Sequence, residues 1–147
     1  MGRKRLVTNR RLVAIVDDEE DINVLFSYAL KRIEGITIVP FNDSRIALEH
    51  FQKNKENYVL VISDFRMPGL NGTELLRKMK DMNKYVRTIL VTAFEMEHAI
   101  LSDYSKREII NSFFQKPVRL TDLIEEVHTQ LHSYEIQKKI PTQRELY

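Results

Sequence analysis

The chain has no cysteine in its 147 residues. That excludes a disulfide framework, a thiolate nucleophile and a zinc–thiolate site. It also lacks a dominant sign of charge. Its 23 lysines and arginines against 21 acids leave a net +2, which does not steer the protein towards nucleic acid. No apolar run approaches the ~20 residues that span a bilayer. The basic start, Met1-Gly2-Arg3-Lys4-Arg5, is not followed by the apolar segment of an export signal, so the cytoplasm is the expected location. Internal repeats and low-complexity segments are missing too. What remains is an ordinary composition, 43% hydrophobic and 30% charged, on a length that fits one domain with a real core.

The organising stretch runs from Tyr58 to Gly72. Tyr58-Val59-Leu60-Val61-Ile62 is apolar without alternation, which predicts a strand buried on both faces. The strand ends in a carboxylate, Asp64. Pro68, Gly69 and Gly72 then turn the chain into a helix from about Thr73. Leu12 to Val16 is a second such run and ends in Asp17-Asp18-Glu19-Glu20-Asp21, which opens a helix. Ile22, Leu25, Phe26, Ala29, Leu30 and Ile33 form the apolar face of that helix, and Gly35 ends it. Acids in a first helical turn suit the helix dipole, so Glu19, Glu20 and Asp21 need no functional role.

Ile36 to Phe41 is a third strand, with Pro40 pointing to a sheet edge. Asn42-Asp43-Ser44 caps a helix whose face is Ile46, Ala47, His50 and Phe51. His50 reads as a packed or half-exposed histidine rather than a ligand. Leu75, Leu76, Met79 and Met82 line the helix after the organising strand, where the methionines suit core filling. Thr88 to Thr92 and Ile109 to Phe114 are the last strands, with a weakly patterned helix from Phe94 to Arg107 between them. Leu123, Ile124, Val127 and Leu131 mark the final helix. Residues 1–10 read as a basic arm, 11–132 as the domain and 133–147 as a polar tail too short to form a further module.

Five β-α alternations predict a parallel sheet wound on both faces. In such a sheet the strand ends share one edge, where ligands bind. That edge then gathers Asp17, Asp18, Asp64, Thr92 and Lys116. Three carboxylates together call for a hard cation, and oxygen-only ligation with room for water suits Mg²⁺. Asp64 between a metal and Lys116 is expected to stay ionised and to serve as a nucleophile towards phosphorus. The metal, Lys116 and the Thr92 hydroxyl would neutralise the phosphoryl oxygens.

These residues carry a family resemblance. Asp17-Asp18, Asp64 followed by Met67-Pro68 and Gly72, Thr92-Ala93, and Lys116-Pro117 resemble the receiver domain of response regulators over roughly residues 11 to 132. The resemblance implies a flavodoxin-like α/β fold, a doubly wound five-stranded parallel sheet of order 2-1-3-4-5. It implies a phosphoryl group passed from a sensor histidine kinase to Asp64. Mg²⁺ would sit on Asp17, Asp18, Asp64 and the Arg66 backbone carbonyl, with Thr92 and Lys116 on the phosphoryl group. Thr92 and Phe113 would form the switch, and the bond before Pro117 would be cis. The implied output is contact with a downstream protein target or a phosphotransfer protein, through the face of the fourth helix, fifth strand and fifth helix. A stand-alone module is implied, without a membrane segment or direct nucleic-acid binding, and with phosphorylation-dependent pairing of two copies allowed. Arg66 and Phe94 would flank the approach of water, and a Phe94 ring over it would slow self-dephosphorylation.

Two departures from the family pattern stand out. Asn71 replaces the usual aspartate before Gly72, and Arg107-Glu108-Ile109-Ile110-Asn111 replaces a usual Gly-Ala pair. Enzymatic activity beyond weak self-dephosphorylation is not expected. An aspartate-nucleophile phosphatase would need a second acid where Arg66 stands. A flavin module on this fold would place phosphate against Asp17-Asp18-Glu19-Glu20, which repel it. A degenerate receiver would not keep the five site residues. A phosphorelay intermediate remains an alternative within the same family.

Overall fold

The computed structural model describes residues 10–93 and 98–140. Its strands are β1 (Leu12–Val16), β2 (Thr37–Phe41), β3 (Tyr58–Asp64), β4 (Arg87–Thr92) and β5 (Ser112–Gln115). The helices are α1 (Glu20–Leu30), α2 (Ser44–Lys53), α3 (Gly72–Met82), α4 (His98–Lys106) and α5 (Leu120–Lys139). The strands pair in parallel in the order β2-β1-β3-β4-β5, the doubly wound flavodoxin-like arrangement expected. β2 is an edge strand, as Pro40 indicated. No helix among the described residues is long and apolar enough to cross a membrane.

Alternation along each strand feeds two cores. Leu12, Ala14 and Val16 face Phe51 of α2 and Leu75, Leu76 and Met79 of α3. Val13 and Ile15 face Phe26 and Leu30 of α1 and Leu123, Val127 and Leu131 of α5. All seven residues of β3 are buried, so the unbroken apolar run reflects cover on both sides. The polar strand ends are what remains at the sheet's rim.

Several boundaries differ from the sequence reading. Helix α1 stops at Leu30, with turns over 31–35 before Gly35 takes φ +84°. Ile33 therefore packs from beyond the helix. Ile46 is 57% exposed and faces away from the core that Ala47 and Phe51 enter. His50 is half-buried, with Nδ1 2.7 Å from the Tyr58 hydroxyl, a packed histidine as read. Ile109 and Ile110 are buried but lie before β5 rather than in it. Glu108 has φ +59°, and the Ile109 N–H returns to the Tyr104 carbonyl at 2.9 Å, so the chain is still turning there. Helix α5 runs on to Lys139, so residues 133–139 are helix and not a polar tail. Tyr134 is buried, Arg87 donates to Gln130 at 2.8 Å and to Gln137 at 3.2 Å, and Lys138 lies 4.8 Å from the Tyr85 ring centre. Most of the basic arm, the end of the tail and Phe94 lie outside the described residues.

Candidate functional site

Each candidate residue sits where a strand stops. Asp17 follows β1, Asp64 is the last residue of β3, Thr92 the last of β4, and Lys116 follows β5. Parallel pairing brings the four tips to one edge. Asp17, Asp64 and Thr92 are buried, while Asp18 is exposed at the rim. Carboxylate oxygens of Asp17, Asp18 and Asp64 lie within 4.8 Å of one another. Lys116 Nζ stands 3.1 Å from Asp17 Oδ2, 3.4 Å from Asp64 Oδ1 and 3.5 Å from Glu19 Oε1. Its backbone N–H donates to the Thr92 carbonyl at 2.7 Å, which ties the lysine to the tip of β4. The Lys116–Pro117 peptide bond is cis.

Local structure explains the placement. The Glu19 N–H donates to Asp17 Oδ1 at 2.9 Å as the chain enters α1. Asn23 Nδ2 donates to the carbonyls of Asp17 (2.8 Å) and Phe41 (2.9 Å), tying α1 to the tips of β1 and β2. After Asp64 the chain must turn at once into α3. The Gly72 N–H donates to the Phe65 carbonyl at 2.7 Å, and a Cβ on Gly72 would run into the Asp64 carbonyl oxygen and lie 2.8 Å from Leu90 Cδ1. Only glycine fits this approach. Asn71 caps α3, accepting from Glu74 N at 2.9 Å while Glu74 Oε1 accepts from Asn71 N at 3.2 Å. Asparagine caps as well as aspartate, so that departure from the family pattern is neutral here.

Electrostatics set the character of the site. Burial, then the neighbouring Asp17, push Asp64 up to about 6, against the opposing pull of Lys116. Burial likewise raises Asp17, although the Glu19 N–H and Lys116 favour its charged form. Burial acts to lower Lys116, but the bond to Asp17 and the charges of Asp17, Asp64 and Glu19 outweigh it and raise the ammonium. One ammonium thus does not offset two buried carboxylates. Lys116 alone does not hold Asp64 low, and the donor set is of the kind a hard divalent cation satisfies.

The structure unites Asp17, Asp18, Asp64, Thr92 and Lys116 at the edge. The loop carrying Arg66 borders them through a cleft of about 530 Å³ lined by Asp18, Phe65, Arg66, Met67, Pro68 and Asn71. Phe113 stands apart, 37% exposed on β5, and lines a second cleft with Leu101, Ser102 and Ser105 of α4, so it is not a core residue. Glu19 was missed as a partner of Lys116. Its place in an acidic first turn hid it, and only its distance of two residues from Asp17 offered a signal.

Comparisons with known proteins agree with this geometry. The family model described as "Response regulator receiver domain" matches residues 13–128. The transcriptional regulatory protein FlgR of Helicobacter pylori is 30% identical over 134 residues, covering 91% of this chain and 33% of FlgR. Sporulation initiation phosphotransferase F of Bacillus subtilis is 30% identical over 82 residues, covering 56% of this chain and 64% of that protein. The chain thus spans about a third of FlgR and under two thirds of the phosphotransferase. A CheY-like receiver domain protein from Methanospirillum hungatei superposes with a TM-score of 0.77 at 24% identity, covering 87% of this chain and 98% of that one, which shows the shared fold. The chain belongs to the response regulator receiver domain family. Phosphorylation on aspartate with Mg²⁺ is typical of that family, whose members act in two-component systems.

Proposed function

We propose that Asp64 accepts a phosphoryl group from the phosphohistidine of a sensor histidine kinase. The observation that carries this reading is the buried Asp64 carboxylate 3.4 Å from Lys116 Nζ and grouped with Asp17 and Asp18. In the transfer, an Asp64 oxygen forms the new bond to phosphorus as the bond from phosphorus to the donor's imidazole nitrogen breaks. The freed imidazole keeps the electron pair. Asp17, Asp18, Asp64 and the Arg66 carbonyl would hold Mg²⁺, which supplies positive charge against the phosphoryl oxygens. Lys116 would supply a second positive charge, and the Thr92 hydroxyl a hydrogen bond. The consequence is a change at the face of α4, β5 and α5, where Phe113 borders a cleft, read by a downstream protein. Transfer onward to a phosphotransfer protein is a second outcome, favoured by the likeness to phosphotransferase F.

Incubation with acetyl phosphate and Mg²⁺, followed by intact mass measurement, tests the assignment. Wild type gains one phosphoryl mass and loses the gain in EDTA. Asp64→Asn gains none, and full labelling of that variant would refute the assignment.

A further inference from the structure

The loop between Asp64 and α3 is held from two sides. On the α3 side, the Gly72 N–H grips the Phe65 carbonyl. On the α2 side, one hydroxyl serves two backbone groups. Ser44 Oγ donates to the Pro68 carbonyl at 3.2 Å and accepts from the Leu70 N–H at 3.1 Å. Ser44 is fully buried at the first position of α2, just after the Asp43 cap. Between the two gripped residues, Gly69 takes φ +83°, and a Cβ there would meet Arg45 Nε at 3.2 Å and Ser44 Oγ at 3.3 Å. The middle of the loop therefore rests directly on the first turn of α2, 24 to 26 residues away in sequence.

The gripped Pro68 also lines the cleft beside Asp18. Arg66, Met67 and Pro68 line the cleft together with Asp18. Pro68 is stiff in φ, so holding its carbonyl constrains the short segment back to Arg66. Mg²⁺ demands near-ideal octahedral geometry and tolerates little drift in a ligand.

We propose that Ser44 is a positioning residue for the cation side of the site: its hydroxyl sets where the Arg66 carbonyl stands relative to Asp17, Asp18 and Asp64. This rests on the function proposed above. Removing the hydroxyl leaves the half-buried Leu70 N–H and the Pro68 carbonyl without this partner. The loop relieves them by turning towards water, which moves the cleft wall and the carbonyl with it. Helix α2 is thereby a structural member of a site to which it contributes no ligand.

The test is a Mg²⁺ titration of isotope-labelled protein, followed through the amide resonances of residues 64–72, with no phosphodonor present. Ser44→Ala is expected to raise the apparent Mg²⁺ dissociation constant about 10-fold, the low end for a residue supporting a ligand. The same variant should speed amide exchange at Leu70. Phe51→Leu is the control, because it loosens the same helix two turns away at a buried position without touching the loop's hydrogen bonds. It should lower the melting temperature and leave the dissociation constant within about twofold. A Ser44→Ala constant equal to wild type overturns the inference. An equal rise in Phe51→Leu also overturns it, by reducing Ser44 to general stability. A wild type without Mg²⁺-dependent shifts overturns the functional reading, and this inference with it.

Discussion

Two half-hidden lysines mark opposite ends of the sheet. Lys116, past the end of β5, faces Asp17, Asp64 and Glu19. Lys80, on α3, reaches the region where β4 and β5 begin and donates to Asn111 Oδ1 at 2.8 Å. Both lose water on burial. At Lys116 the surrounding carboxylates more than repay that loss and the ammonium is raised. At Lys80 an amide oxygen does not, and burial with help from Arg87 brings the group down to about 8. Asn111 Oδ1 also accepts from Thr88 N at 3.0 Å, so the lower lysine joins a clasp around the entry to β5. The contrast separates chemistry from architecture. An ammonium among buried acids is poised for an incoming anion. One held by an amide fastens three elements together and carries a cost in charge.

The sharpest way to break this comparison is to remove each ammonium in turn. Lys116→Met should slow acetyl phosphate-driven labelling by about 100-fold or more, as loss of one charge-stabilising donor does. Lys80→Met should leave it within about twofold. Equal losses measured by quantitative intact mass would abolish the distinction.

A smaller effect separates the upper end by pH. Asp64 is raised from 3.8 to about 6, so between those values the native state binds more protons than the unfolded chain. Stability contributed by that proton is present below about pH 4 and lost as pH rises through about 6. In EDTA, Asp64→Asn should therefore gain about 2 kcal/mol over wild type between pH 4 and 7. Denaturant melts across that range check it, and a difference independent of pH would contradict it.

The smallest effect lies at the lower end and has the opposite slope. Lys80 falls from 10.5 to about 8, so between those values the unfolded chain binds more protons. Wild-type stability should rise by about 1 kcal/mol relative to Lys80→Met from pH 8 to 10.5, after allowance for solvent screening at this half-buried group. A flat difference would show that the clasp holds Lys80 without penalty.

The upper end was the more readable of the two from sequence. Runs such as Val59 to Ile62 betray strands covered on both faces, and parallel winding then obliges Asp17, Asp64, Thr92 and Lys116 to meet. The lower end resisted. Ile109 and Ile110 look like strand because apolar periodicity cannot tell a buried turn from a buried strand, and the positive φ at Glu108 leaves no signature in a non-glycine residue. The last turns of α5 were hidden for a related reason. They are held by Arg87, Gln130, Gln137 and Lys138, polar contacts that follow no hydrophobic period. Ser44 could not have been singled out, since its partners come from a loop more than twenty residues on and nothing local distinguishes it from an ordinary helix start.

Pro40 carries a consequence for how these molecules behave when crowded. Thr37 donates inward to Arg11, and Phe41 accepts inward from Asp17, so alternate residues of β2 turn their backbone groups towards β1. Ile38 and Pro40 are left to present theirs at the outer edge, and proline has no N–H to offer. Within β2 this outer margin thus retains one outward donor, at Ile38, beside the rigid ring of Pro40. A strand from another chain could not build a ladder on it. Among the described residues Pro40 thus works against edge-to-edge growth at this margin, the kind that turns open sheets into aggregates.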